Sequence, residues 1–267
     1  MSDLLELKRI NVSLGGTRIL YDIDFKVEGG SVHCLLGDNG AGKSTLIQCI
    51  SGTLQPDSGE ILLDGKPVSF GSPRDALAAG IATVHQDAGT LPLMSVSRNF
   101  FLGNEPMRGR GPLRRIDFRK ADAIALEQIH AIGIREVMHA KQLVGTMSGG
   151  ERQALAIGRA LYFGARMLIL DEPTSALGVK EAAVVLKLIT QARAHGIGIV
   201  VITHNATHAL TVGDQYTILI HGRVAAQFAR NERSHEEILS LMAGGEELAA
   251  VQAELEARHN APVGELA

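Results

Sequence analysis

The segment Gly37-Asp38-Asn39-Gly40-Ala41-Gly42-Lys43-Ser44-Thr45 fits the pattern G-x-x-x-x-G-K-[ST]. Its residue types suit one chemistry, the holding of a nucleoside triphosphate. The glycines let the backbone curl until its N–H groups face phosphate, and a following helix adds positive potential at its N-terminus. Lys43 then reaches the β and γ oxygens, and Ser44 offers a hydroxyl to Mg²⁺. The flanks agree. VHCLLG reads as a buried strand and KSTLIQCISG as a helix that Gly52 ends, which is the strand, loop, helix context that separates this motif from an ordinary glycine turn.

A second site lies at MLILDE, Met167 to Glu172, an apolar strand ending in two carboxylates. Such a pair is costly to bury without a use. Successive strand side chains point to opposite faces, so Asp171 is expected toward the metal and Glu172 toward a water beside the γ-phosphate, as general base. The third candidate is Thr146-Met147-Ser148-Gly149-Gly150-Glu151, ahead of the helical run ERQALAIGRALYFG. Ser148 and Glu151 make a capping box, and the same helix start is an anion site able to take a phosphate.

These residues need a scaffold, and the chain carries its signals. With 267 residues, 45% hydrophobic and 21% charged, it has enough apolar side chains for a large core and is unlike a disordered sequence. From Leu4 to Phe70 short β-rich runs predict an antiparallel edge, with Asp64-Gly65 as a hairpin turn in GEILLDGKPVSF. From about residue 88 the pattern turns helical, broken by GRGPLRR. After it strands and helices alternate: MLIL, KEAAVVLKLITQARAH, GIVVIT, a helix, then two strands in YTILIHGRVAAQF. That order predicts a covered parallel sheet. Ser234 to Ala267 reads as one or two helices with a polar end.

The formal charge of −3 gives no global attraction to nucleic acid. Cys34 and Cys49 lack metal or disulfide spacing and read as small core residues of a reducing compartment. The start, MSDLLELKRI, is unlike a signal segment, and no run approaches the ~20 apolar residues of a membrane span, so any membrane attachment is expected through another subunit. Leu93, Phe100 and Phe101 read as core, with a docking groove for a partner's helix as the alternative. Arg108, Arg110, Arg114 and Arg115 read as a solvated basic loop, with lipid headgroups or a partner's loop as the alternative.

With GDNGAGKST, MSGGE and LILDEPTSAL in this order, the chain resembles the ATPase subunits of ABC transporters over about residues 4 to 245. The resemblance implies an α/β P-loop NTPase fold with an antiparallel β edge, a helical subdomain inserted at about 88–160, and a C-terminal helical tail at 246–267. It implies that two such subunits pair head to tail, so that Ser148, Gly149 and Gly150 contact the nucleotide on the partner's phosphate loop. Gln86, in TVHQD, matches the glutamine loop that links metal and attacking water to the helical subdomain and the transmembrane partner. His204, in VVITHN, matches the switch histidine that meets the γ-phosphate. The implied catalytic set is Lys43, Gln86, Glu172 and His204, with Mg²⁺ held by Ser44, Gln86 and, through water, Asp171.

The hairpin GEILLDGKPVSFGSPRDALAAGI and the segments SVSRNFFLGNEP and SALGVKEAAVVLKLI resemble the branch that energises uptake of monosaccharides such as fructose, ribose or xylose. That implies a separate membrane permease, a periplasmic sugar-binding protein acting through it, and a peripheral position at the cytoplasmic face of a bacterial inner membrane. One phosphate loop and one signature imply a dimer, with itself or with a sister ATPase.

The chain departs from the family pattern at three places. Leu14 stands where an aromatic usually stacks on adenine, Met147 and Glu151 replace the commoner Leu and Gln, and Gly178 replaces an aspartate. Among rivals, a DNA-repair ATPase would need long heptads in the stretch of about 100 residues between phosphate loop and signature, and none is present. A GTP switch would need N-K-x-D, which is missing. An iron–sulfur assembly scaffold subunit matches in length and differs in its partner.

Overall fold

The computed structural model describes residues 3–134 and 137–242. The expected tail at 246–267 lies outside the described residues. The chain opens with two long antiparallel strands, β1 (Asp3–Leu14) and β2 (Thr17–Glu28), followed by β3 (Val32–Leu36) and helix α1 (Lys43–Ile50). Strands β4 (Ser58–Leu63) and β5 (Lys66–Val68) form the hairpin whose turn residues Asp64 and Gly65 both have positive φ, as a primed two-residue turn requires. Next come α2 (Pro73–Ala78), β6 (Ile81–Val84) and α3 (Val96–Phe101).

The basic stretch expected as a loop is instead a small hairpin, β7 (Met107–Arg108) and β8 (Arg115–Ile116), leading into α4 (Phe118–Ala131). Then follow α5 (Gly149–Tyr162), β9 (Met167–Asp171), α6 (Val179–Ala194), β10 (Gly198–Thr203), α7 (Ala206–Val212), β11 (Gln215–Ile220), β12 (Arg223–Ala229) and α8 (His235–Met242). The predicted α/β architecture with an antiparallel edge is borne out.

The strands form an antiparallel sheet in the order β2-β1-β4-β5 and a central sheet in the order β12-β11-β3-β10-β9-β6, parallel except for β12. Alternation along the central strands divides the core. Cys34, Leu36, Leu168, Leu170, Ile199 and Val201 face one apolar cluster with α3 to α8. Leu35, Met167, Ile169, Val200 and Ile202 face the other, beneath α1 and the antiparallel sheet. Both faces are covered, which is why these strands are nearly continuous apolar runs. Phe100 and Phe101 are buried as expected. Leu93 is not core: it is 90% exposed, on the connection between β6 and α3, because its short apolar run never enters a helix. Cys34 and Cys49 are buried, and burial pushes the Cys49 thiol up to about 12, so neither is primed to react.

Candidate active site

β3, β9 and β10 are in register, Leu36 beside Thr203 and Ile202 beside Asp171, so their carboxyl ends open at one edge of the sheet. Crevices at such edges hold ligands in α/β folds, and the conspicuous residues gather there. Gly37, Gly40 and Gly42 have φ of 143°, 82° and 101°, which side chains other than hydrogen rarely tolerate. Gly37 is also confined by space, since a Cβ there would stand 2.3 Å from Leu219 O. The loop therefore curls around the start of α1, with Asp38, Asn39 and Gly40 exposed, Ala41 buried and Thr45 partly buried.

Lys43 is buried at the loop base, where its Nζ donates to Gly37 O at 2.7 Å and to Asp38 O at 2.9 Å. Burial lowers its pKa, against the pull of the Glu172, Asp38 and Asp171 carboxylates. Ser44, one residue on, is exposed.

On β9, Asp171 continues the alternation of Met167 and Ile169 and so lies on the α1 side of the sheet. Burial raises its pKa, while His85 and Lys43 lower it. Glu172 breaks the strand with φ 49°, a left-handed conformation that costs a non-glycine residue of order 1–3 kcal/mol. Three donors hold its carboxylate in place. His204 Nδ1 and His204 N reach Oε1 at 2.8 and 3.1 Å, and Thr203 Oγ1 donates to Oε2 at 3.3 Å. The backbone N–H of Glu172 meets Ile202 O at 2.9 Å. Glu172 and His204, distant in sequence, thus form one unit with its imidazole edge open to solvent.

Gln86, just past β6, donates its Nε2 to Ser175 Oγ at 2.9 Å and lines a hollow with His85, Asp87, Asp171 and Ser175. Its amide oxygen, the Asp171 carboxylate and the Ser44 hydroxyl are hard oxygen donors, too few to cage a cation alone. That set fits Mg²⁺, which is commonly held by one or two protein oxygens together with substrate phosphates.

The signature segment is elsewhere. Ser148 caps α5 as expected, its Oγ accepting from Glu151 N at 3.3 Å while Glu151 Oε2 accepts from Ser148 N at 2.6 Å. Ser148 and Gly150 line a separate hollow with Glu151, Lys180 and Glu181. The first-turn N–H groups of Gly149 and Gly150 stay without an intrahelical acceptor, as in any helix start. Leu14 ends β1 at the turn into β2 and is 43% exposed.

The sequence reading did not single out Thr203, Ser175 or His85. Thr203 and Ser175 sit beside motif residues, and that adjacency was the available signal. His85 is adjacent to Gln86, but its facing Asp171 depends on β6 lying next to β9, which no local pattern announces.

Fold and loop together define a nucleoside-triphosphatase cassette. A family model described as ABC transporter matches residues 20–175. The xylose/arabinose import ATP-binding protein XylG of Sulfolobus acidocaldarius is 38% identical over 242 residues, covering 91% of this chain and 94% of that protein. The fructose import ATP-binding protein FrcA of Rhizobium meliloti is 41% identical over 229 residues, 84% of this chain and 87% of that protein. The fold is also similar to the crystal structure of a nucleotide-free ATP-binding cassette from an ABC transporter, with a TM-score of 0.75 at 23% identity, covering 89% of this chain and 94% of that one. The chain belongs to the ABC transporter family, as one of its ATPase subunits.

Proposed function

We propose that this chain is the ATP-hydrolysing subunit of a sugar importer, working on a separate membrane permease at the cytoplasmic face of a bacterial inner membrane. A periplasmic sugar-binding protein would choose the cargo. The observation that carries the catalytic reading is the carboxylate of Glu172, fixed by Thr203 and His204 at the sheet edge that also bears the phosphate loop. The sugar-import relatives, matched over 84–91% of this chain, support the transport reading. Among the described residues no helix is long and apolar enough to cross a membrane.

In this reading Lys43 and the loop N–H groups from Gly37 to Thr45 hold the β- and γ-phosphates. Ser44, Gln86 and Asp171 would hold Mg²⁺, which supplies charge neutralisation on the phosphate oxygens when bound. Glu172 takes the proton of the water that attacks the γ-phosphorus as the bond to the ADP oxygen breaks. His204 steadies that carboxylate and meets the γ-phosphate. Catalysis of this kind is positioning and electrostatics. Because Ser148 and Gly150 line a hollow apart from the phosphate loop, they are assigned to the nucleotide of a second copy, and two chains close head to tail on two ATP.

The test is co-purification of the tagged chain from detergent-solubilised membranes, with partners identified by mass spectrometry. A polytopic permease is expected, followed by sugar-stimulated ATP hydrolysis in the recovered complex. Recovery of a soluble scaffold with no permease would overturn transport and point to the iron–sulfur assembly role.

A further inference from the structure

The hairpin β7–β8 plays no part in the nucleotide site, and its composition is unlike the rest of the chain. Residues 98–120 carry seven basic and two acidic side chains, a net charge of +5 in a protein whose formal charge is −3. Both acids are spent locally: Glu105 Oε1 accepts from Gly103 N, and Asp117 Oδ1 accepts from Lys120 N at the start of α4. Among the described residues, Arg108, Arg110, Arg114 and Arg115 form no ion pair.

The register is more telling. Arg108 stands directly opposite Arg115. A like-charged pair at that separation is destabilising, and strands of two residues offer few compensating contacts. Such a pairing is favoured once an anionic surface lies against it. At the turn between the strands Leu113 is 72% exposed; Met107, opposite Ile116 at the other end of the strand pair, and Phe118, which begins α4, are exposed as well. Gly109 holds the turn tight, since a Cβ there would stand 2.7 Å from Leu113 O.

We infer that this hairpin is a membrane-surface contact that lays its arginines on anionic phospholipid headgroups and sinks Leu113 into the boundary with the acyl chains. A nucleic acid or an acidic peptide would meet the arginines equally well but would leave the apolar tip in water. A lipid surface satisfies both, as basic residues around an apolar tip do in interfacial anchors. The inference takes from the proposed function only that a membrane is within reach.

The experiment needs no permease, so the two readings fail separately. The chain contains no tryptophan, and Leu113→Trp therefore introduces a single reporter. Titrated with vesicles of phosphatidylglycerol and phosphatidylcholine, its emission should shift to the blue, and the shift should vanish at high ionic strength and with pure phosphatidylcholine. In co-sedimentation, replacing all four arginines by glutamine should weaken association roughly 100-fold. Leu113→Ser should weaken it roughly tenfold. ATP hydrolysis by both variants should be unchanged. Should the fourfold variant lose its melting transition, the pair Arg110→Gln and Arg114→Gln, outside the paired strands, replaces it, with a loss of roughly tenfold expected. Unchanged emission, equal association with neutral vesicles, or full association by the arginine variants would overturn the inference. So would parental protein that ignores vesicles while the arginine variant fails to co-purify with the permease, an outcome that assigns the hairpin to an acidic protein loop.

Discussion

At the scale of single residues, the arrangement turns on Glu172. Its backbone is strained and its carboxylate is held by one imidazole N–H, one amide N–H and one hydroxyl. A group held this firmly loses little freedom when a water must be oriented, which is what a general base of this kind needs. Glu172→Gln keeps the shape but cannot take a proton. Turnover of ATP should fall by about 10²–10⁴, while nucleotide affinity stays within a few-fold, because Lys43 and the loop amides are untouched. Phosphate release and nucleotide titration measure the two separately, and near-normal turnover would remove Glu172 from the role. The pair Asp171-Glu172 was visible in the sequence, since adjacent carboxylates rarely end an apolar strand without a use. The role of Thr203 was not, because a threonine at the end of a β-branched run is the expected residue whether or not its hydroxyl has a partner.

At the scale of elements, α5 and α6 show how closely the signature segment is fitted to its surroundings. A Cβ on Gly150 would lie 2.9 Å from Glu181 Cβ and 3.1 Å from Glu181 O. Gly150 therefore serves packing as well as any anion at the helix start: only hydrogen lets α5 begin so near the first turn of α6. Gly150→Ala should push the two helices apart and destabilise the fold by about 1–3 kcal/mol, the usual cost of overpacking. Thermal unfolding should register this as a loss of roughly 2–4 °C per kcal/mol. An unaltered transition would mean that the helix starts adjust freely. The capping box could be read from Ser148 and Glu151 alone, whereas the contact with Glu181 could not, because it joins segments about 30 residues apart through a helix crossing. The same distinction explains the basic stretch. Gly109 and Gly111 mark a turn, yet two-residue strands are too short to alternate recognisably, and the sequence showed only a loop.

At the scale of the whole molecule, the central sheet was legible because burial on both faces makes its strands continuous apolar runs, but the order of strands and their docking on the antiparallel sheet were not. His33 ties those two sheets together. It lies on β3 with Nδ1 2.6 Å from Lys26 O on β2 and Nε2 2.8 Å from Thr217 Oγ1 on β11, its ring 4.3 Å from that of Phe25. The carbonyl can only accept, so Nδ1 carries the proton, and in the neutral ring Nε2 accepts from the threonine hydroxyl. Burial favours the neutral imidazole and lowers its pKa from 6.5 to about 4, against the Lys26 carbonyl, which raises it. In the unfolded chain the ring protonates near 6.5, so between there and about 4 the unfolded state binds more protons than the folded one. Stability from this residue is complete above the upper value and falls as the pH drops through the window, by about 3 kcal/mol in all. Urea midpoints taken from pH 7 to 4.5 should therefore decline, with His33 contributing close to one proton of slope, about 1.4 kcal/mol per pH unit. His33→Gln should start less stable at pH 7, having lost the ring's packing, yet decline more shallowly by that one proton. Parallel slopes for the two proteins would show that the acid sensitivity belongs to carboxylates instead, and that the join between the sheets tolerates a charged imidazole.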